Sequence, residues 1–402
     1  MKFCRTATLL ALLAFGLAPV AQAQDVIKIG VLADMNASSA DAGGPGSVAA
    51  AQLAIDDFGG VINGKKIVLI SADHQMKPDI GASIARKWYD VDKVDVIMDV
   101  PVSSVALAVQ EIARERKKTL MVTAATVPDL TGKSCSPYTL HWADDIVALS
   151  AGAARAVLQT GGDTWFFMTV DFVFGHTMEK VLRDVVEKSG GKVLGSVRNP
   201  LGTSDFSSFL LQAQSSKAKV IGLVNVGSDF ITAVKQASEF GLVAGGQKLV
   251  GFLVFITDIH SLGLKATAGL QFVSSFYWDQ SDSSRAFAKR FMEKRKAMPT
   301  KIHAQGYAAL VHYLNAVKAT NSTDGAKTMA WMKANKADYF GQKATMREDG
   351  RVMFDLALYE MKKPDESKYA WDYYKQVRVL KGEEAFLPLN KEICPFLRDA
   401  KK

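Results

Sequence analysis

The chain has 402 residues, of which 48% are hydrophobic, enough apolar material for two cores of ordinary domain size. Its formal net charge of +8 lies in mixed patches such as "ARERKK" and "EKRKAM", which are typical of polar helix faces. Because no basic stripe with interleaved aromatic residues is present, the composition argues against a nucleic-acid partner.

The first 23 residues have the pattern of a secretory signal peptide. Lys2 and Arg5 precede an apolar run over residues 9–20, and the tripeptide Ala-Gln-Ala at 21–23 matches a cleavage site. The apolar run is too short to span a bilayer. We therefore expect cleavage near Ala23 and an exported mature protein.

Two cysteines, Cys135 and Cys394, remain in the predicted mature chain, since Cys4 lies within the signal peptide. In an oxidising compartment two such cysteines most simply form a disulfide, and two buried free thiols are the alternative. The chain-entropy model gives this bridge an upper limit of about 5 kcal/mol. The sequence has no CxxC or His-rich spacing, so we predict no metal site.

From Ile27 onward, strand-like apolar runs alternate with helical segments, which indicates parallel βαβ units. The first half predicts the strands "VIKIGVLADM", "KKIVLISAD", "VDVIMDV" and "KTLMVTAA". The helices between them are "GSVAAAQLAIDDF", "IGASIARKWYDV" and "SSVALAVQEIARER".

The same alternation restarts after "YTLHWADD". The strands "TWFFMTV", "KVLGSVR", "KVIGLVNV" and "KLVGFLVF" alternate with the helices "HTMEKVLRDVVEKSG", "DFSSFLLQAQSS" and "SDFITAVKQASEFGL". This restart predicts an α/β protein of two similar Rossmann-like lobes.

The last third predicts two helices in "SRAFAKRFMEKRKAMPTKIHAQGYAALVHYLNAVKAT" and paired strands in "GRVMFDLALYEMKK". These elements do not make a third domain by themselves. We expect them to complete the two lobes, which requires the chain to cross between the lobes more than once.

The loops that follow the parallel strands are the places to search for a ligand site. After "VDVIMDV", the turn "PVSS" places Ser103 and Ser104 at a helix start, where exposed amides suit a carboxylate. Ser103 could instead be only the N-cap of that helix. The next strand ends in the small, hydroxyl-rich loop 123–126, which would lie beside this turn. The two loops together favour an oxyanion site built from backbone amides, Ser103, Ser104 and Thr126.

In the second lobe, "DFVFG" follows a strand and places Asp171 and Phe174 at the corresponding edge. Asp171 could contact a ligand, or only end the strand or cap a turn. Phe174, in a predicted loop beside a glycine, is a candidate wall for an apolar group. Phe276, Tyr277 and Trp278 lie in a predicted crossover, where they could line the cleft or pack at a hinge.

Signatures of an enzyme are absent from the sequence, which has no GxSxG, HExxH or GxGxxG. Ser103 with His141 is the only nucleophile and base pair that we could propose, and nothing in their spacing supports it. Asp144 and Asp145 are adjacent carboxylates, yet as neighbours in a crossover they need not share a face.

With these features together, the sequence resembles the periplasmic solute-binding proteins of ABC transporters, in the leucine/isoleucine/valine-binding family. The resemblance runs from Ile27 to Phe396. It is carried by "KIGVLADMNASSADAGGPGSVAAAQLAIDD", by "TAATVPDLT", which is close to the family's carboxylate-binding loop, by "DFVFG" and by "YAALVHYLNAV".

The resemblance implies a type I periplasmic binding protein, with a three-stranded hinge and the ligand cleft between the lobes. Residues 24–143 and 277–347 would form lobe 1, and residues 144–276 and 348–402 would form lobe 2. The protein would be a periplasmic monomer without a cofactor that closes on a small carboxylate and presents it to permease subunits. The implied ligand contacts are Ser103, Ser104, the backbone of Ala124, Thr126, and Phe174 in place of a family tyrosine.

Two departures from the family pattern bear on the ligand. Ala42 stands where amino-acid binders often carry an aromatic residue, and Leu253 stands where they place an acid that pairs with the α-ammonium group. Because a buried ammonium without a partner is strongly disfavoured, we expect a carboxylate ligand without an amine. "HWADD", "FYWD" and "KYAWDYYKQV" resemble the members associated with aromatic acids such as benzoate or hydroxycinnamate derivatives.

Other functions remain open from the sequence. A branched-chain amino-acid or amide binder could satisfy its ammonium with Asp145 or Asp171. An exported hydrolase of a small acid would need a nucleophile and a base in the cleft. A sensor that feeds a receptor would have to act through a separate partner.

Overall fold

The computed structural model describes residues 26–400, without the side chain of Ala156. The predicted signal peptide and Cys4 lie outside these residues. Within them, the predicted fold class is confirmed: the chain forms two α/β lobes, each built on a mainly or wholly parallel sheet. None of the helices in this range has the length and hydropathy needed to cross a bilayer.

Lobe 1 is built on a six-stranded sheet in the order β2-β3-β1-β4-β5-β6. The strands β4 and β5 are completely buried, because helices cover both faces of a parallel sheet. The elements are β1 (Val26–Ala33), α1 (Gly44–Asp57), β2 (Val61–Ile62), β3 (Lys65–Asp73), α2 (Pro78–Asp90), β4 (Val96–Asp99), α3 (Ser103–Glu115), β5 (Thr119–Val122), a 3₁₀ helix (Pro128–Thr131) and β6 (Thr139–His141).

Lobe 2 contains a four-stranded parallel sheet in the order β10-β9-β7-β8. Its elements are α4 (Ile146–Gln159), β7 (Thr164–Val170), α5 (Val173–Lys188), β8 (Lys192–Asn199), α6 (Ser207–Ser215), β9 (Val220–Val224), α7 (Ser228–Glu239), β10 (Lys248–Gly251), α8 (Ile256–Leu262), α9 (Leu264–Thr267) and β11 (Gln271–Ser274). The strand β10 ends four residues before the predicted strand "KLVGFLVF" does, so residues 252–255 form a loop.

The remaining elements complete both lobes, as the sequence predicts. Helices α10 (Asp282–Arg295), α11 (Lys301–Thr320) and α12 (Gly325–Ala334) cover lobe 1, followed by a small antiparallel sheet of β12 (Ala337–Tyr339), β13 (Gln342–Met346) and β14 (Val352–Met353). Strands β15 (Leu356–Met361) and β16 (Tyr374–Leu380) then pair antiparallel beside β11 in lobe 2. The short helices α13 (Gly382–Ala385) and α14 (Pro395–Asp399) end the described chain.

The chain passes between the lobes at residues 142–145, 275–281 and 354–355, which form the hinge. A buried ion pair joins the first of these passages to the chain just before the third. Arg351, which is 1% exposed, lies 3.0 Å from the carboxylate of Asp145 and donates to the carbonyl of Ala143.

The C-terminal segment differs from the expected lobe boundary, which assigns residues 348–402 to lobe 2. After α13 the chain returns to lobe 1. There Arg347 donates to the carbonyl of Leu387, Lys391 forms an ion pair with Glu348, and Cys394 is bonded to Cys135. The disulfide holds this tail against the lobe that the sequence pattern does not assign to it.

Opening the Cys135–Cys394 disulfide is expected to lower the free energy of unfolding by up to about 5 kcal/mol, because the bridge closes a loop with a sequence separation of 259. Thermal unfolding with and without reductant measures the effect. A Cys135→Ser/Cys394→Ser variant should unfold at the melting temperature of the reduced wild type, and reductant should not change that temperature. Equal melting temperatures for the oxidised and reduced wild type would contradict the prediction.

Candidate functional site

A cleft of about 550 Å³, including space open to solvent, lies between the two lobes at the carboxyl ends of both parallel sheets. In each lobe the sheet order changes direction here, at β1/β4 and at β7/β9. Open α/β sheets bind ligands at such switch points, because the adjacent loops diverge to opposite faces. The fold therefore places one candidate site between two facing sheet edges.

Loops from both lobes line the cleft. On the lobe 1 side they follow β1, β3, β4 and β5, joined by the start of α11, and the residues are Ser39, Ala42, Met76, Pro101, Val102, Ser103, Ala124, Thr126 and Ile302. On the lobe 2 side they follow β7, β8, β9 and β10, and the residues are Val170, Phe172, Phe174, Leu201, Val226, Leu253 and Phe255.

The lining has a distinct chemistry on each side. Ser39, Ser103 and Thr126 supply hydroxyls from lobe 1, whereas every lining side chain from lobe 2 is apolar. None of these lining side chains is charged. A ligand can thus be bonded at one end and packed against hydrocarbon and aromatic rings at the other.

Three helices begin at the cleft with free first-turn amides. The N-cap residues of α3, α5 and α7 are Val102, Phe172 and Gly227, and none of them makes a side-chain cap hydrogen bond. The first N–H groups of a helix have no partner within it, and the helix dipole places a partial positive charge there. The cleft can therefore attract an anion without a cationic side chain in its lining.

Asp99 at the end of β4 is a buried carboxylate beneath this region, and it adopts a left-handed backbone with φ of 81°. Burial raises the pKa of Asp99 to about 7, the repulsion of Asp34 adds to this rise, and the nearby Ser47 hydroxyl opposes it. A large fraction of this carboxyl is therefore neutral at pH 7, which reduces its repulsion of an anion in the cleft.

The lobes touch across the cleft, so the arrangement is closed. At Gly227 in lobe 2, an added Cβ would lie 1.9 Å from the carbonyl oxygen of Ser38 in lobe 1. Phe172 of lobe 2 also packs against the hydrophobic cluster of lobe 1.

The protein-family model described as "Periplasmic binding protein" matches residues 26–368 of this chain. The chain belongs to the periplasmic binding protein family. The predicted family is thus confirmed, and this periplasmic binding protein is a ligand-binding component of an ABC transporter.

Solved structures of the same fold include two with substantial sequence identity. A periplasmic binding protein from Burkholderia mallei is 47% identical, with a TM-score of 0.88 over 90% of this chain and 96% of that one. A branched chain amino acid ABC transporter periplasmic ligand-binding protein from Burkholderia xenovorans LB400 is 41% identical, with a TM-score of 0.81 over 92% and 100%. A solute-binding protein from R. palustris in complex with benzoate is 20% identical, with a TM-score of 0.80 over 89% and 98%, which shows the fold alone.

Six of the ten predicted ligand contacts lie in the cleft of this binding protein: Ala42, Ser103, Ala124, Thr126, Phe174 and Leu253. Ser103 is the first residue of α3 and makes no capping hydrogen bond, so the N-cap alternative is wrong. Phe174 belongs to the first turn of α5, not to a loop, and is 5% exposed.

The other four, Ser104, Asp145, Asp171 and Tyr277, do not line the cleft. Ser104 is one helical position beyond Ser103 and is partly buried outside the cleft lining. Asp145 is the N-cap of α4 and the partner of Arg351. Asp171 lies on the surface, 2.6 Å from the Nε2 of His176.

Tyr277 is part of the hinge packing that the sequence left as an alternative. Its hydroxyl donates to the carbonyl of Trp371, and its ring stacks on Tyr374. His141, the candidate base for Ser103, is buried and bonded to the carbonyl of Ala125. Burial drives the pKa of His141 well below its usual value, so it stays neutral.

Several cleft residues have no obvious signal in the sequence. Five of them follow a parallel strand: Ser39, Met76, Phe172, Val226 and Phe255. The rule that ligands bind beyond the carboxyl ends of parallel strands is the one signal that could have identified them. Ile302 could not be found in this way, because it comes from a helix that enters lobe 1 after the second hinge passage.

Proposed function

We propose that this binding protein captures a small carboxylate without an ammonium group, an aromatic acid such as benzoate, by closure of the two lobes. The observation that carries the proposal is the lining of the cleft. The hydroxyls and the uncapped start of α3 lie on the lobe 1 side, the lining side chains of lobe 2 are apolar, and no lining side chain is charged.

The carboxylate would bind at the start of α3. The hydroxyls of Ser103 and Thr126 and the backbone of Ala124 lie on two adjacent loops there. Hydrogen bonds to a charged acceptor are stronger than neutral ones, and those from backbone amides need no reorganisation.

The ring would pack against lobe 2. Phe174, Leu253 and Phe255 form an apolar wall, and Ala42 opposite leaves room for a flat group. Aromatic rings contribute large apolar area and favour offset or edge contacts with one another.

The second candidate is an amino acid, which the name of the 41% identical Burkholderia xenovorans protein suggests. An amino acid would bring an ammonium into the cleft, and a buried ammonium needs an acidic partner. Asp145 and Asp171, the two acids proposed for this role, lie elsewhere. The cleft chemistry therefore favours the aromatic acid.

The rest of the transport cycle follows from the same proposal. The mature protein would act as a monomer in the periplasm, after cleavage near Ala23, and the closed lobes would be recognised by permease subunits. The chemistry of the cleft calls for no cofactor, and the buried, neutral His141 gives no support to a hydrolase.

A thermal-shift panel tests the ligand class. Benzoate, hydroxycinnamate and phenylacetate are compared with leucine, valine and glutamate, and saturation at 100 times Kd should stabilise the fold by about 2.7 kcal/mol. We expect a rise with aromatic acids only. A rise with amino acids only would overturn the proposal.

Leu253→Asp is expected to weaken benzoate binding at least about 100-fold, because it places a second negative charge in a buried anion site. Leu253 is 8% exposed and lines the cleft. Isothermal titration measures the loss. Leu253→Asn is the matched control, because asparagine has nearly the shape of aspartate but no charge. This variant should lose much less affinity for benzoate. Equal losses for both variants would show that polarity, not charge, is what the site rejects.

A further inference from the structure

Lys301 is a buried cation at the junction of the two lobes that the sequence pattern does not single out. It is the first residue of α11 in lobe 1, and its side chain is 4% exposed. Its Nζ lies 3.2 Å from Oδ2 of Asp144 in the hinge and 5.5 Å from the centroid of the Phe255 ring in lobe 2.

This position is unfavourable for a lysine on local grounds. Burial of an ammonium carries a desolvation penalty, and a cation in the first turn opposes the helix dipole. The Nζ has an ion pair with Asp144 but makes no hydrogen bond within the described residues. The local stability of α11 therefore does not explain why a lysine occupies this position.

Asp144 does not depend on Lys301 to satisfy its oxygens. Oδ1 accepts from the side chain of Gln305, and Oδ2 accepts from the backbone N–H of Ser275. These bonds join two hinge passages to lobe 1. Removing Lys301 would therefore leave Asp144 hydrogen-bonded.

Phe255 is the partner that connects Lys301 to ligand binding. It lines the ligand cleft from lobe 2, and its backbone N–H donates to Asp258 at the start of α8. Since Lys301 belongs to lobe 1 and Phe255 to lobe 2, the cation–π contact between them joins the two lobes behind the cleft. Hinge opening would separate them.

We propose that Lys301 is a closure latch: a positioning residue that stabilises the closed arrangement and holds the Phe255 ring against the ligand. It does not line the cleft itself. The effect on benzoate rests on the function proposed above, whereas the effect on closure does not.

Lys301→Met tests the latch, because methionine keeps much of the apolar length and removes the charge. The matched control is Lys333→Met. Lys333 makes a cation–π contact of 5.6 Å with Phe396 on the C-terminal tail, away from the cleft. Small-angle X-ray scattering measures the radius of gyration with and without benzoate, and stopped-flow fluorescence measures the benzoate release rate.

We expect Lys301→Met to expand the protein in scattering and to speed benzoate release about 30-fold, as loss of a desolvated cation–π contact predicts. Lys333→Met should change neither quantity. Phe255→Leu should expand the ligand-free protein to the same extent, and the double variant should add nothing further.

The outcomes separate the two proposals. A wild type that does not respond to benzoate would defeat the aromatic-acid function, while the scattering comparison would still decide the latch. A radius of gyration and a release rate that are unchanged in folded Lys301→Met would overturn the latch. If Lys301→Met does not fold, the comparison of Phe255→Leu with wild type in the ligand-free state decides it.

Discussion

Gly227→Ala is expected to lower the affinity for benzoate at least about tenfold while both lobes remain folded. Gly227 precedes α7 with φ of 58° and ψ of −132°, a conformation that favours glycine. In the closed arrangement an added Cβ would lie 1.9 Å from the carbonyl oxygen of Ser38 in the opposite lobe. The methyl group therefore opposes closure. Because the ligand binds the closed form, its apparent affinity falls as that form becomes less populated.

Gly241→Ala at the other end of α7 is the matched control. Gly241 also has a positive φ, 68°, but an added Cβ there meets nothing within 4 Å. It therefore lacks the clash between the lobes. Titration calorimetry gives the affinities, and scattering gives the closed fraction. If the two variants bind benzoate equally well, the contact between Gly227 and Ser38 does not limit closure.

Arg351→Met is expected to lower the free energy of unfolding by about 3–5 kcal/mol, because it leaves the buried carboxylate of Asp145 without its charge partner. Arg351 lies 3.0 Å from that carboxylate and 4.9 Å from the centroid of the Phe386 ring. The melting temperature should fall by roughly 10 °C, at about 2–4 °C per kcal/mol for lobes of this size. Thermal or denaturant unfolding measures it.

The stability that Arg351→Met loses should also depend on pH. Burial raises the pKa of Asp145, and the charge of Arg351 opposes this rise. Without Arg351 the pKa rises further, so protonation neutralises the orphaned carboxylate as the pH falls. The stability difference between wild type and variant should therefore shrink from pH 7 to pH 5.

Arg290→Met is the control for that experiment. Arg290 forms a 2.6 Å ion pair with Asp57 at a half-exposed position in lobe 1. Exposed pairs contribute about 0–1 kcal/mol, so this variant should unfold close to wild type. If Arg351→Met lowers the free energy of unfolding no more than Arg290→Met does, the ion pair between Arg351 and Asp145 does not stabilise the fold as expected.

The strand pattern was the most reliable part of the sequence prediction. The predicted strands "KKIVLISAD" and "TWFFMTV" coincide with β3 and β7. Their continuous or alternating apolar character is set locally, since strands in a helix-covered sheet bury one or both faces. The strand β16 was missed because five of its seven residues are exposed, and an edge strand without a buried face has no such pattern.

The candidate site was predicted in part, for a related reason. Loops at the carboxyl ends of strands can be found by counting elements, and the loops of Ser103, Ala124 and Thr126 were found in this way, whereas Leu253 was chosen from the resemblance to the family. Which of two adjacent serines lines the cleft depends on where the helix begins, and only Ser103 is among the lining residues. Whether an acid reaches the ligand depends on its partners, and Asp145 is held by Arg351, 206 residues away.

The sequence by itself determined the two α/β lobes and the strand ends where a ligand can bind, because periodicity is a local property, whereas the missing acid at Leu253 could be recognised only through the resemblance to the family. The tertiary structure alone decided how the lobes meet. The placement of Gly227 against Ser38 and of Lys301 against Phe255 joins residues far apart in the chain. Contacts of this kind arise only when both lobes are folded and closed, so no local pattern encodes them.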